Sequence, residues 1–152
     1  MKKMIALVLA LVCVLALAGC QEQSSTYSFR GEHEYFAISN GSITLDDKEE
    51  VFDGGNIEIT QSGFFDEVAS YTTTFYMLIN GEQKVILSNT EINQTGEATT
   101  IGSSLGRISG EGILGNEVKS ADNLKDSLWF ELKTTDLNGK ENVYQIRLVV
   151  TK

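Results

Sequence analysis

Apolar and polar residues follow two different patterns along this chain. Residues 4–17 form an unbroken apolar run. From Tyr27 onward, apolar residues mostly alternate with polar ones, β-branched and aromatic types are common, and Asn-Gly and Gly-Gly steps recur. A period of two predicts half-buried strands separated by turns. No long helical period or internal repeat interrupts it.

Residues 34–45 read as a hairpin about Asn40-Gly41, since a two-residue type I′ turn needs positive φ at both positions. That turn pairs Ile38 with Ile43 and Phe36 with Leu45 on one face, leaving Tyr35 and Ala37 on the other. Asp53-Gly54-Gly55-Asn56 reads as a turn, and Ile57 and Ile59 mark a short strand. Residues 71–79 and 84–88 form a second hairpin about Asn80-Gly81. Phe75, Met77 and Ile79 share a face with Val85 and Leu87, and the other face carries Tyr76, Leu78 and Ile86. Apolar residues on both faces predict cover on both sides, with an exposed partner-binding patch as the alternative. Residues 89–104 read as a long loop or weak edge strand. Glycines 106, 110 and 112 suggest bulges, and residues 120–126 could hold one helical turn capped by Ser120 or Asp122.

The last hairpin has the most constrained register. A two-residue turn at Asn138-Gly139 would set Leu132 against Gln145 and contradict the burial pattern. A three-residue loop, Leu137-Asn138-Gly139, with Gly139 left-handed, restores it. Leu132 then faces Tyr144, Phe130 faces Ile146, Leu128 faces Leu148, and Trp129 lies opposite Arg147 on the outer side. The whole pattern predicts an all-β domain, an antiparallel β-sandwich, with the immunoglobulin arrangement as one candidate. The Cys-Trp-Cys signature of true immunoglobulin domains is absent.

The apolar run is about 14 residues, short of the roughly 20 a spanning helix needs and suited to the core of a signal peptide. Lys2 and Lys3 precede it, and Leu17-Ala18-Gly19-Cys20 ends it. This order resembles the signal peptide and lipobox of bacterial lipoproteins. The resemblance implies cleavage after Gly19 and a diacylglyceryl group, with further acylation such as palmitate, on Cys20. It also implies an extracytoplasmic protein held to the membrane by lipid. Cys13 is a poor alternative because bulky Val12 precedes it. The expected organisation is a signal peptide at 1–19, a lipidated cysteine and short polar tether at 20–26, and one domain at 27–152.

Of the 152 residues, 12 are basic and 21 acidic. Loss of residues 1–19, with two lysines and no acid, leaves 133 residues, ten basic and 21 acidic, at a formal charge of −11. This size suits one core. With Cys20 lipidated, no intrachain disulfide can form, and no proline slows folding. The acidic balance argues against nucleic acid and anionic lipid as partners. It serves solubility, and it would also attract a cationic protein, peptide or metal ion.

Candidate chemistry is sparse. The mature chain has one histidine, His33, no free thiol and no Gly-x-Ser-x-Gly motif. A hydrolase would need a nucleophile, a base and an orienting acid, so no enzyme is expected, and a hydrolase with a scattered site ranks last. Glu32-His33-Glu34 alternates across a strand and does not converge on an ion. Asp46, Asp47, Glu49, Glu50 and Asp53 form the densest acidic cluster. They are the candidates for Ca²⁺, though their spacing fits no calcium loop. No cofactor beyond the lipid is expected. Trp129 shares its face with Glu131 and Lys133. It either stacks on Arg147 across the strand pair or forms a ligand platform with Gln145 and Arg147.

Residues 27–35, with Phe29, Gly31 and Glu32, resemble the opening of small uncharacterised lipoproteins of Gram-positive bacteria, in which Phe-x-Gly-Glu is soon followed by an aromatic residue. Here the aromatics are Tyr35 and Phe36. This likeness implies the outer face of a Gram-positive membrane and brings no activity. The expected function is therefore a non-enzymatic, membrane-anchored sandwich that binds an envelope or extracellular partner. An acidic Ca²⁺-binding module is the alternative.

Overall fold

The structure, a computed structural model, describes residues 24–115, 118 and 120–152. The expected signal peptide at 1–19 and the expected lipid-bearing Cys20 lie outside them. Among the described residues, ten strands and one short helix follow in order: β1 Ser25–Glu32, β2 Phe36–Leu45, β3 Glu50–Asp53, β4 Asn56–Ile59, β5 Val68–Ile79, β6 Glu82–Ile92, β7 Arg107–Gly110, α1 Ala121–Leu124, β8 Leu128–Asp136, β9 Glu141–Arg147 and β10 Val149–Thr151. One sheet runs β10-β1-β2-β3-β7, with β4 also paired to β2, and the other runs β6-β5-β8-β9. Every pairing is antiparallel. The two sheets pack face to face as the expected β-sandwich. The strand order is not the immunoglobulin one, because the first four strands stay in one sheet and β5-β6 and β8-β9 lie side by side in the other. The domain begins two residues earlier than the sequence suggested. Ser25 and Thr26 belong to β1, opposite Leu45 and Thr44, and not to the tether.

The expected first hairpin is instead one strand with a bulge. Asn40 takes φ 58° while Gly41 stays outside the left-handed region, so a type I′ turn cannot form. β1 passes from Phe29 to Gly31 while β2 passes from Gly41 to Ile38, giving β2 one extra residue. That residue flips the side-chain alternation. Ile43 therefore returns to the face of Phe36 and Ile38, and all three are buried. Directly across β2, the predicted turn at residues 53–56 is also a kink. β3 and β4 keep the same register on β2, with Gly54-Gly55 between them. Gly55, at φ 68°, lies where a Cβ would meet the backbone of residues 39–41. Residues 103–110 run along this broken strand. Leu105 N–H donates to Gly55 O at 3.0 Å, and Gly54 N–H to Gly106 O at 2.8 Å.

The second hairpin has its type I′ turn, with Asn80 at φ 52° and Gly81 at φ 84°. Its second strand extends to Ile92. A register shift after Phe75 places Val85 opposite Tyr76, which moves Val85 to the outer face and leaves Ile86 in the core. The expected cover on that outer face is partial: Tyr76 is 4% exposed, whereas Val85 is 51% exposed and Leu78 39%. The last hairpin has its expected register, from Trp129↔Arg147 to Leu132↔Tyr144, with Gly139 at φ 82°. Beyond Arg147 the chain changes sheets. Leu148 N–H still donates to Leu128 O at 2.9 Å, and Val149 and Val150 then pair with Arg30 and Phe29 of β1. Helix α1 supplies the expected single turn after Ser120.

Five fully buried phenylalanines join the sheets. Phe29, Phe36 and Phe52 come from one sheet, and Phe75 and Phe130 from the other. Phe75 lies 5.0 Å from Phe52, 5.8 Å from Phe29 and 4.9 Å from Phe130, and Phe36 lies 5.8 Å from Phe130. Offset and edge-on pairs of this kind add to the burial energy of the rings.

Candidate functional site

The sandwich has a cluster of aromatic rings at one pole. β1 ends at Glu32, and residues 33–35 turn the chain into β2. His33 N–H donates to Phe36 O at 2.8 Å, and His33 Nδ1 accepts from Tyr35 N–H at 3.3 Å. After β4 the chain crosses the same end. Thr60 ties this segment back, its N–H donating to Tyr35 O at 3.0 Å and its hydroxyl to Glu34 O at 3.2 Å. The turns that follow carry Phe64 and Phe65. From the other sheet, β9 contributes Tyr144.

These side chains form one assembly. Tyr35 and Phe64 stack nearly parallel at 3.6 Å. Tyr144 stands close to perpendicular to both, at 5.8 Å and 5.9 Å. His33 stacks on Phe36 at 4.9 Å and meets Tyr144 edge-on at 5.6 Å. Phe36 and Phe65 are buried beneath, while His33, Tyr35 and Tyr144 are half-buried. Phe64 is 37% exposed. Large apolar side chains left near a surface in contact with one another mark an interaction site more often than scattered ones do.

An open groove of about 500 Å³ adjoins the rings. Ile59, Phe65 and Ile101 give it an apolar lining, and Thr60, Ser62 and Thr99 give it hydroxyls. Asp66 contributes a carboxylate. The charge of Glu34 raises the Tyr35 phenol above its ordinary value, with smaller contributions from burial and a hydrogen bond to Glu34. Burial chiefly raises Tyr144. Both rings therefore stay neutral at physiological pH. The pole lies away from the start of the domain. Ser25 is paired at the far end of β1, and eight residues of strand put His33 roughly 25 Å from it.

The residues singled out from sequence lie elsewhere. Trp129, Gln145 and Arg147 share the outer face of the second sheet, with Trp129 directly opposite Arg147. The expected stack between them is replaced by other contacts. Trp129 lies parallel to Tyr76, ring centroids 6.4 Å apart. The Arg147 guanidinium pairs with Asp126 at 3.3 Å, and Gln145 Nε2 donates to Glu131 at 2.6 Å. The indole N–H of Trp129 is buried with no acceptor among the described residues.

The acidic cluster is spread over separate structural tasks. Asp46 accepts from Lys48 N–H at 3.0 Å, Glu50 from Leu114 N–H at 2.8 Å and Asp53 from Gly55 N–H at 2.9 Å. Among the described residues, no three His, Cys, Asp or Glu side chains gather closely enough to share an ion. His33 packs against the rings of Tyr35, Phe36 and Tyr144. Sequence reasoning missed Phe64 and Phe65. Their signal was an aromatic pair between Gly63 and Asp66, outside any alternating run. Neither family models, nor curated proteins, nor solved structures gave a significant match to this chain.

Proposed function

We propose that this chain is a lipid-anchored extracytoplasmic protein that binds an envelope or extracellular partner, without catalysis, through its aromatic pole. The observation that carries the reading is the partly exposed Tyr35–Phe64–Tyr144 cluster beside an open groove, at the end of β1 opposite Ser25. With lipid on Cys20, few residues separate the bilayer from Ser25, so the rings face outward. The lipobox at residues 17–20 supports the anchoring half of the reading. The outer face around Trp129, Gln145 and Arg147 is the second reading, favoured by the unpaired indole N–H.

Two measurements test it. Labelling of the full chain with an alkyne palmitate should mark the wild type and not Cys20→Ser, and the variant should leave the membrane fraction. A photo-crosslinking phenylalanine at position 64 should capture an envelope or extracellular component, while the same group at position 44 should not. Capture from position 129 alone would move the site to the Trp129 face.

A further inference from the structure

Taking the aromatic pole as the binding surface, we infer that its partner is a basic protein segment, with a Lys or Arg side chain lying in the groove and over the exposed ring of Phe64. The inference thus rests on the proposed site and adds the chemistry of what it takes.

Three observations converge. Residues 31–36, 59–67 and 97–101, which with Tyr144 build the pole and groove, contain five carboxylates and no Lys or Arg, and the adjoining loop at 137–140 adds one cation, Lys140. These acids are Glu32, Glu34, Asp66, Glu67 and Glu97. All five are exposed, and none has an ion-pair partner among the described residues. Among the described residues, ion pairs form away from the pole, Lys133 with Glu141 at 2.8 Å and Lys125 with Asp122 at 2.8 Å.

The second observation is the character of the groove. Its apolar lining from Ile59 and Phe65 suits the methylene stem of a long cationic side chain, and Asp66 offers a carboxylate to the charged head. The third is the rings. Phe64 packs against Tyr35 and Phe65 and is 37% exposed, so part of its ring is open to a ligand. A cation over such a face gains from the ring quadrupole, and more so once desolvated. A neutral glycan would stack on the ring and donate hydroxyls to a carboxylate but would leave the negative charge of the pole uncompensated, and an anionic ligand would be repelled by it. The acidic balance of the whole chain steers a basic segment toward this end without fixing where it docks.

The test uses the full chain in phosphatidylcholine nanodiscs and a fluorescent oligoarginine peptide, read by anisotropy. Binding should be saturable at low salt. Phe64→Ala and Asp66→Asn should each weaken it about two- to five-fold, the effect of losing one cation contact. Asp47→Asn makes the same charge change outside the pole and should leave affinity unchanged. Equal weakening by Asp47→Asn and Asp66→Asn would mean attraction by net charge alone and would overturn the inference. If the peptide fails to bind or to compete while crosslinking from position 64 persists, the cationic class is wrong and the pole stands. If crosslinking from position 64 is also lost, both fall.

Discussion

Phe75 touches three of the other four core phenylalanines and is 1% exposed. Phe64 is 37% exposed and holds its place by stacking on a neighbour at the rim. The same residue type therefore does different work at the two positions. Phe75→Ala should lower unfolding stability by about 3–5 kcal/mol, whereas Phe64→Ala should cost under about 1 kcal/mol, both measured by denaturant melts. The tyrosines give a pH signature. Tyr35, Tyr76 and Tyr144 all have phenols raised above the ordinary value, Tyr35 chiefly by the Glu34 charge and the other two chiefly by burial. A raised folded value means the folded chain keeps protons that the unfolded chain releases. Their contribution is complete below about pH 10 and is lost as pH climbs through the folded values. Phenolate absorbance should therefore rise later in the folded protein than in denaturant, with stability falling over that range. At this scale the sequence was a poor guide to the site. Trp129 drew attention because it broke an alternating row, and its contacts proved to be Tyr76 and nothing at the indole nitrogen. The ring cluster draws on residues from 33 to 144, a juxtaposition that no local pattern encodes.

Two Asn-Gly steps show what a strand pattern can and cannot specify. At Asn80-Gly81 both residues are left-handed and the chain reverses; at Asn40-Gly41 only the asparagine is, and the chain continues. A two-residue hairpin and a one-residue bulge put Phe36, Ile38 and Ile43 on the same face, so alternation alone could not choose between them. The deciding partners lie outside the segment. Phe29 packs where a side chain on Gly41 would sit, and Gly54-Gly55 kinks beside it in the neighbouring strand. The final hairpin was legible because one register alone buried Leu132, Phe130 and Ile146 together. The contrast can be measured. Gly81 has open space around its missing Cβ, so Gly81→Ala should cost about 1 kcal/mol from backbone strain alone. Gly55→Ala adds a clash with the adjacent backbone to the same strain and should cost about 1–3 kcal/mol. Comparable denaturant midpoints for the two variants would show that the kink relaxes freely.

On the scale of the molecule, β9 and β10 stitch the sandwich together, since one near-continuous strand serves both sheets and changes over at Leu148. Its last residues cover the edge of β1 and bury Val150, which is 7% exposed. Removing residues 149–152 should lower Tm and leave an open strand edge prone to pairing with other chains, seen as aggregation by light scattering on heating. The position of the acidic turn after β2 has a different kind of consequence. Leu45 pairs with Ser25, so Asp46, Asp47 and Glu49 follow directly at the end of the domain where the chain enters from Cys20. On a lipid-held molecule those charges would face the headgroups. Anionic headgroups would push against them over a Debye length of about 8 Å at physiological salt. The turn would then act as a stand, resisting the tilt that a short lipid leash otherwise permits, and the reach of the opposite end above the bilayer would follow the ionic strength around the cell.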